Sequence, residues 1–200
     1  MYQLLLDSSN KYLTVALAKD NKLVDVIFYE AWQRQSEMMV VEIDNILKRN
    51  NVSRADLDAV VTGIGPGSYT GVRISITIAK TIAYALKIKL YAVSSLSLLK
   101  IKDEPTITIF NARSGRCYFA VYQGEKVLEA DKVLTNEEVN KYIDEHPSYL
   151  LSGDLEILGK KSEEFDIASN LVKVLGDEKY LVDPFKVTPI YLKDLLKWAK

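Results

Sequence analysis

The sequence predicts an α/β fold in two lobes, each a mixed sheet with helices. Three observations carry this. A three-strand meander opens each half of the 200 residues, a glycine-rich elbow joins a short apolar strand to a long helical pattern, and the polar stretch "KIKDEP" separates the halves. The boundary falls near Lys102, giving lobes of residues 1–102 and 103–200.

In the first lobe, strands are expected at Gln3 to Asp7, Tyr12 to Ala18 and Leu23 to Phe28, parted by the turn-rich pieces "SSNK" and "KDNK". A helix follows from about Ser36, whose hydroxyl can cap it, to Arg49; then comes a β-branched strand, Ala59 to Ile64. After the elbow, Thr70 to Leu86 reads as a helix because its apolar period outweighs the modest propensity of its isoleucines. A strand at Leu90 to Val93 and a short helix at Ser95 to Lys100 complete the lobe.

The second meander is "TITIFNARSGRCYFAVYQGEKVLEADKVL", with turns at Arg113 to Arg116 and Gln123 to Lys126. Thr135 caps a helix that stops near Glu145-His146-Pro147. "SYLLSGD" is strand and loop, Ile167 to Leu175 is helical, and "VTPIYLKDLLKWAK" ends in a short amphipathic helix, which can pack back on the first lobe. Laid over each other, the two hairpins place Asp7 on Asn111 and Val15, Ala16, Leu17 on Phe119, Ala120, Val121, which suggests an internal duplication.

Composition narrows the function classes. At 48% hydrophobic and 26% charged residues the chain can bury a real core. A net charge of −1 with scattered basic residues lacks the footprint of a self-sufficient nucleic-acid binder. The single cysteine, Cys117, excludes an internal disulfide and reads as a buried strand residue. "MYQLLLDSSN" lacks the basic start and cleavage site of a signal peptide, and no apolar window reaches the roughly 20 residues of a membrane helix, so a cytoplasmic protein without membrane contact is expected.

The elbow "GIGPGSYTGVRIS" lacks the lysine ending of a P-loop and the third glycine of a dinucleotide fingerprint. Its residues, Gly63, Gly65, Pro66, Gly67, Ser68, Thr70 and Gly71, are read as structural: the glycines allow a tight strand-to-helix reversal, Ser68 or Thr70 caps the helix, and Gly71 lets it pack closely. Arg73, in the first turn, opposes the helix dipole and calls for a compensating carboxylate or partner contact. On the helix after it, Val72, Ile76, Ala79, Ala83 and Leu86 form one stripe; Ile74, Ile78, Ile82 and Ala85 widen it to an apolar arc of roughly 200°. On the preceding helix Met39, Ile43, Ile46 and Leu47 face the core while Met38 and Val41 lie off it. Both helices thus have apolar surface to spare, which marks Met38, Val41, Glu42, Asn45, Arg73, Ile74, Ile78 and Ile82 as a candidate partner interface.

Duplicated lobes of this kind suggest the actin-like ATPase (ASKHA) architecture. The elbow, the opening "LLLDSS", the hairpin "NARSGRCYFAVY" and the terminal "TPIYLK", in this order across nearly the whole chain, resemble the TsaB (YeaZ) family of bacterial tRNA threonylcarbamoyladenosine biosynthesis proteins. The resemblance implies an actin-like scaffold without catalysis of its own. It implies pairing through the two first-lobe helices with TsaD, which transfers threonylcarbamoyl to adenosine 37 of tRNAs reading codons that begin with A. It further implies contact with the ATPase TsaE, a homodimer when alone, tRNA reached only through the complex, and no cofactor on this chain, ATP and metal residing on partner subunits. Against the family the second lobe looks reduced after "LSGD".

The residues of a nucleotide site are only partly present, so Asp7, Ser8, Ser9, Asn111 and Gly153 are read as a vestige of one. The first hairpin turn has no glycine, Asn111 stands where a metal-orienting carboxylate is wanted, and Asp154 follows Gly153 where a nucleotide would lie. The paired histidines of the catalytic sister family are replaced near Ser95 and Leu99, and His146 reads as a surface turn residue, so no metal site is expected. Three rival readings remain: a small actin-like ATPase or kinase using Asp7, a standalone homodimeric scaffold with no catalytic partner, and a peptidase using Ser68, which has no histidine nearby and would need a lysine as base.

Overall fold

A computed structural model describes residues 1–31 and 33–192. The first meander consists of β1 (Tyr2–Asp7), β2 (Tyr12–Lys19) and β3 (Lys22–Glu30), followed by α1 (Gln35–Arg49), β4 (Leu57–Gly63), α2 (Tyr69–Leu86) and β5 (Lys89–Val93). The second comprises β6 (Thr106–Arg113), β7 (Arg116–Gln123) and β8 (Lys126–Thr135), followed by α3 (Asn136–Glu145), β9 (Leu150–Gly153), α4 (Ile167–Val172) and β10 (Leu181–Val182).

The first sheet has the order β10-β5-β4-β1-β2-β3 and the second β8-β7-β6-β9. Each is built on the same plan: three antiparallel strands, then a strand running parallel to the first of them, β4 beside β1 and β9 beside β6. Among the described residues the second sheet has four strands. Two such units form the actin-like ATPase fold, with the second lobe reduced.

Three apolar layers hold the fold together. Leu4, Leu6, Val15 and Leu17 face α1 and α2; Ile107, Ile109, Phe119 and Val121 face α3; Leu5, Ala16, Phe110 and Ala120 meet between the sheets with α4 and a 3-10 turn at Leu96–Leu99. The superposition of the two hairpins therefore holds at the level of faces. Ala16 and Ala120 both sit in the middle layer, and their larger neighbours point outward beneath helices. It slips by one residue across the second hairpin, since Asp7 lies opposite Thr14 but Asn111 lies opposite Cys117.

Local chemistry explains the ends of the elements. Asp20 and Asn21 adopt positive φ at the β2–β3 tip, as a tight hairpin requires. Thr135 and Glu138 form a reciprocal capping box on α3, and Lys87 ends α2 in a left-handed conformation. Ser36 does not cap α1. The helix starts at Gln35 after Arg34, without a side-chain cap, because the Gln35 amide reaches back to the Asn10 carbonyl at 3.2 Å and draws the first turn toward the β1–β2 hairpin. The expected helix at Ser95 to Lys100 is only a 3-10 turn, and α4 stops at Val172, short of Leu175. After Gly176, with φ +83, the chain returns to the first sheet as β10, a strand too short to leave a sequence pattern. The terminal helix expected from "YLKDLLKWAK" lies largely outside the described residues.

Candidate functional site

Two surfaces draw on the residues singled out in the sequence. The first is an apolar groove of about 440 Å³ between α1 and α2, lined by Val40, Ile43, Leu47, Ile78, Ile82 and Leu86, with Asp44 and Arg54 at its polar edge. On α1 the lining positions Val40, Ile43, Asp44 and Leu47 follow the spacing of one helix face. Met38 and Glu42 sit two residues out of that phase, a rotation of about 200°, and turn instead to β3. Glu42 accepts the Tyr29 hydroxyl at 2.9 Å and Asn45 donates to its other oxygen at 2.9 Å. Val41 is 47% exposed and Val40 58%. Ile74, Ile78 and Ile82 are half-buried and rest on the α1–α2 core layer.

Arg73 stands at the end of α2 away from the groove, exposed, and pairs with no carboxylate among the described residues. Its guanidinium lies 4.2 Å from the Tyr69 ring centre and 5.7 Å from that of Tyr191, and Nε donates to the Tyr191 hydroxyl at 2.6 Å. The expected compensation is thus supplied by two aromatic rings. Sequence reading missed this clamp because Tyr191 lies far along the chain, and missed Val40 because the positions it placed off the core-facing stripe of α1 were Met38 and Val41.

The second surface is an open cleft of about 690 Å³ between the lobes, lined by Ser9, Lys11, Thr70, Asn111, Arg113 and Asp154 among others. Of the residues read as a vestigial nucleotide site, Ser9 and Asn111 reach this cleft. Asp7 does not line it. It is wholly buried, its Oδ1 accepts from the Ser9 N–H at 3.1 Å and the Ser9 hydroxyl at 2.8 Å, and its Oδ2 abuts Gly63 and has no hydrogen-bond partner among the described residues. Burial pushes its carboxyl up to about 6 despite the two bonds from Ser9. Ser8 is buried and donates its hydroxyl to the Gly71 carbonyl at 2.7 Å. Gly153, at φ +111, faces the Ile109 backbone within the second sheet. Asp154 accepts the Asn111 N–H at 2.9 Å, and burial raises its pKa.

The elbow packs on the hairpin that would hold a phosphate. Ser68 N–H donates to the Ser9 carbonyl at 2.7 Å, Ser68 Oγ accepts from Gly71 at 3.3 Å, and a side chain on Gly67 or Gly71 would run into the carbonyl oxygens of Ser9 and Ser8. Gly65 exchanges bonds with Ser95, N–H to Oγ at 2.9 Å and carbonyl to N–H at 2.8 Å; Pro66 is buried, and Thr70 is exposed at the cleft. Ser68 thus serves as a cap. His146 is packed between Tyr142 and Tyr149 behind the second sheet, its Nδ1 2.8 Å from the Tyr142 carbonyl. Cys117 is fully buried, which pushes its thiol up to about 11. Among the described residues no group of three or more His, Cys, Asp or Glu is arranged to hold a metal ion, and no helix is long and apolar enough to cross a membrane.

Comparison with known proteins agrees with this architecture. Residues 26–147 match the family described as TsaD, tRNA N6-adenosine threonylcarbamoyltransferase. The chain is 30% identical to the tRNA threonylcarbamoyladenosine biosynthesis protein TsaB of Bacillus subtilis, covering 95% of this chain and 93% of the relative. It is 25% identical to TsaB of Escherichia coli, over 98% and 96%. Its structure is similar to that of YeaZ from Pseudomonas aeruginosa, with a TM-score of 0.81 at 23% identity over 96% of this chain and 99% of that one. A 30%-identical relative aligned almost end to end establishes that the chain belongs to the TsaB (YeaZ) family of tRNA threonylcarbamoyladenosine biosynthesis proteins.

Proposed function

We propose that this chain is a noncatalytic partner subunit in tRNA threonylcarbamoyladenosine formation, pairing through α1 and α2 with a TsaD-type subunit that carries out the transfer. The observation that carries the reading is the α1–α2 groove. Val40, Ile43, Leu47, Ile78 and Ile82 offer a continuous apolar surface with a polar edge, as expected of a helix-on-helix interface. Covering a side chain such as Val40 contributes about 1.5–3 kcal/mol when it is fully buried, so a few of these suffice for a specific pair. The interface extends over the exposed side of α1 through Val41 and Asn45, with Ile74 at its flank; Met38 and Glu42, turned to β3, and Arg73, held by Tyr69 and Tyr191, fall outside it. Without TsaD the same face supports a homodimer.

The rest of the molecule is consistent with a supporting role. Asp7, the acid an ATPase reading needs, is buried away from the cleft, and the elbow fills the backbone of its hairpin. ATP and metal belong on the partner subunits, contact with TsaE occurs in the assembled complex, and tRNA is engaged there rather than by this chain alone.

The test is light scattering of the chain mixed with TsaD of its own organism, for wild type and for Ile78→Glu. Wild type is expected to give the mass of a heterodimer. The variant, with a charge placed in the groove, is expected to pair more than about 100-fold more weakly while remaining folded. Failure of the wild type to pair with TsaD would remove the assignment and return attention to nucleotide binding at the cleft.

A further inference from the structure

Beyond the groove and the cleft, one aromatic pair stands unusually exposed. Tyr84, near the end of α2, is 62% exposed and Phe185 is 73% exposed, and their rings meet edge to face at 5.0 Å. Phe185 is held on a fixed turn. Asp183 Oδ1 accepts its N–H at 2.8 Å, the Asp183 carbonyl accepts from Lys186 at 3.0 Å and Val187 at 3.1 Å, and Lys80 Nζ ties the Val187 carbonyl to α2 at 2.9 Å. A large apolar ring presented to solvent on an ordered turn is available for contact at little further cost in entropy.

Three lysines adjoin the pair along the chain and the β5–β10 register. Lys87 caps α2, its N–H bonded to the Ala83 and Tyr84 carbonyls. Lys89 opens β5, and β10 runs antiparallel to it with Val182 opposite Leu90, so the Asp183 turn emerges beside Lys89. Lys186 follows Phe185 directly, and all three lysines are exposed. Asp183, 3.9 Å from Lys186 Nζ, is the acid paired with this group; Lys87 and Lys89 enter none of the ion pairs formed among the described residues. Interface centres between proteins are poor in lysine, whereas aromatic rings flanked by ammonium groups suit unstacked bases and their phosphates.

We propose that Tyr84, Phe185, Lys87, Lys89 and Lys186 form an RNA-contacting surface, the rings stacking on an unpaired base and the lysines meeting the adjoining phosphates. The proposal rests on the reading that the chain serves tRNA modification, and deepens it by giving this subunit its own contribution to substrate binding. The cluster is small and the chain has a net charge of −1, so the contribution is modest and adds to that of a partner.

The test uses the full chain, alone and with its TsaD subunit, and a fluorescent unmodified tRNA transcript followed by anisotropy over a salt series; light scattering reads the pairing separately. Tyr84→Ala with Phe185→Ala is expected to weaken transcript binding about tenfold with the salt slope nearly unchanged. Lys87→Gln with Lys89→Gln is expected to reduce the slope by about 0.7 for each phosphate that no longer meets a lysine. Pairing with TsaD should survive both changes. The proposal is overturned if wild type binds no transcript in either state, or if both double variants bind it as wild type does. It is equally overturned if the variants lose TsaD pairing instead, which would make the patch a protein interface. Absence of pairing by the wild type would count against the proposed function, whereas intact pairing with transcript binding unchanged in both double variants would count against this proposal alone.

Discussion

Ser68 donates its backbone N–H to the carbonyl of Ser9 at 2.7 Å, joining the glycine elbow to the β1–β2 hairpin. The bond is reinforced where Ser8 Oγ donates to the Gly71 carbonyl at 2.7 Å. The two contacts answer what so many glycines do in this stretch: they let two backbones meet, one of which would otherwise be free to cradle an anion.

Gly71→Ala should therefore disturb the fold more than a helix-favouring substitution normally does. Its Cβ would enter the Ser8 carbonyl, and overpacking of this kind costs about 1–3 kcal/mol. A thermal melt should show Tm lower by several degrees, at about 2–4 °C per kcal/mol for a chain of this size. An unchanged or raised Tm would contradict the close packing of elbow and hairpin.

Asp7 sets a pH dependence. Burial raises its pKa in the fold to about 6, above the roughly 3.9 of an unfolded aspartate. The folded state therefore binds more protons between these values, and the stability linked to this proton is present below about pH 4 and lost as pH rises through about 6. Asp7→Asn should resist urea better than wild type at pH 8, by at most about 3 kcal/mol, and the two proteins should converge toward pH 4. Parallel curves across this range would show that Asp7 is not buried as described.

Tyr122 on the second sheet donates to Asp131 Oδ1 at 2.6 Å, and the other oxygen of Asp131 accepts the hydroxyl of Ser94, which follows β5 of the first sheet. The carboxylate thus couples the lobes. Tyr122→Phe should lose about 1.5–3 kcal/mol, as expected for a hydrogen bond to a charged group, seen as a lower urea midpoint with little change in slope. A midpoint equal to that of wild type would show that the Tyr122 bond to Asp131 adds nothing to stability.

Arg73→Ala should release the segment after β10. The amide of Ile190 bonds the Ile64 carbonyl at 2.8 Å, next to the clamp of Arg73 on Tyr69 and Tyr191. Faster hydrogen exchange at Ile190 and Tyr191, with α2 itself still protected, is expected. Unchanged exchange in this segment would mean that the clamp does not hold it.

The parts of the fold that could be read from sequence are those fixed locally. Both meanders are marked by alternation and by turn residues such as Asp20 and Asn21, and Ser68 and Thr135 announce the helices they cap. The parts missed depend on distant contacts. Gln35 starts α1 early because Asn10 holds it, β10 exists only because β5 offers an edge, and Arg73 is satisfied by a tyrosine more than a hundred residues away. For the site, Ile78 and Ile82 follow from a helix whose apolar arc is too wide for one contact. Val40 and Leu47 required the relative placement of two helices, which periodicity alone does not contain.

The most direct measurement of the role assigned to α1 and α2 is hydrogen exchange of the full chain with and without its TsaD subunit. Pairing through the groove predicts slower exchange over residues 35–49 and 69–86 on addition of TsaD, with β6–β9 unchanged. Protection confined to the interlobe cleft or to the second sheet, with both helices exchanging as before, would contradict it.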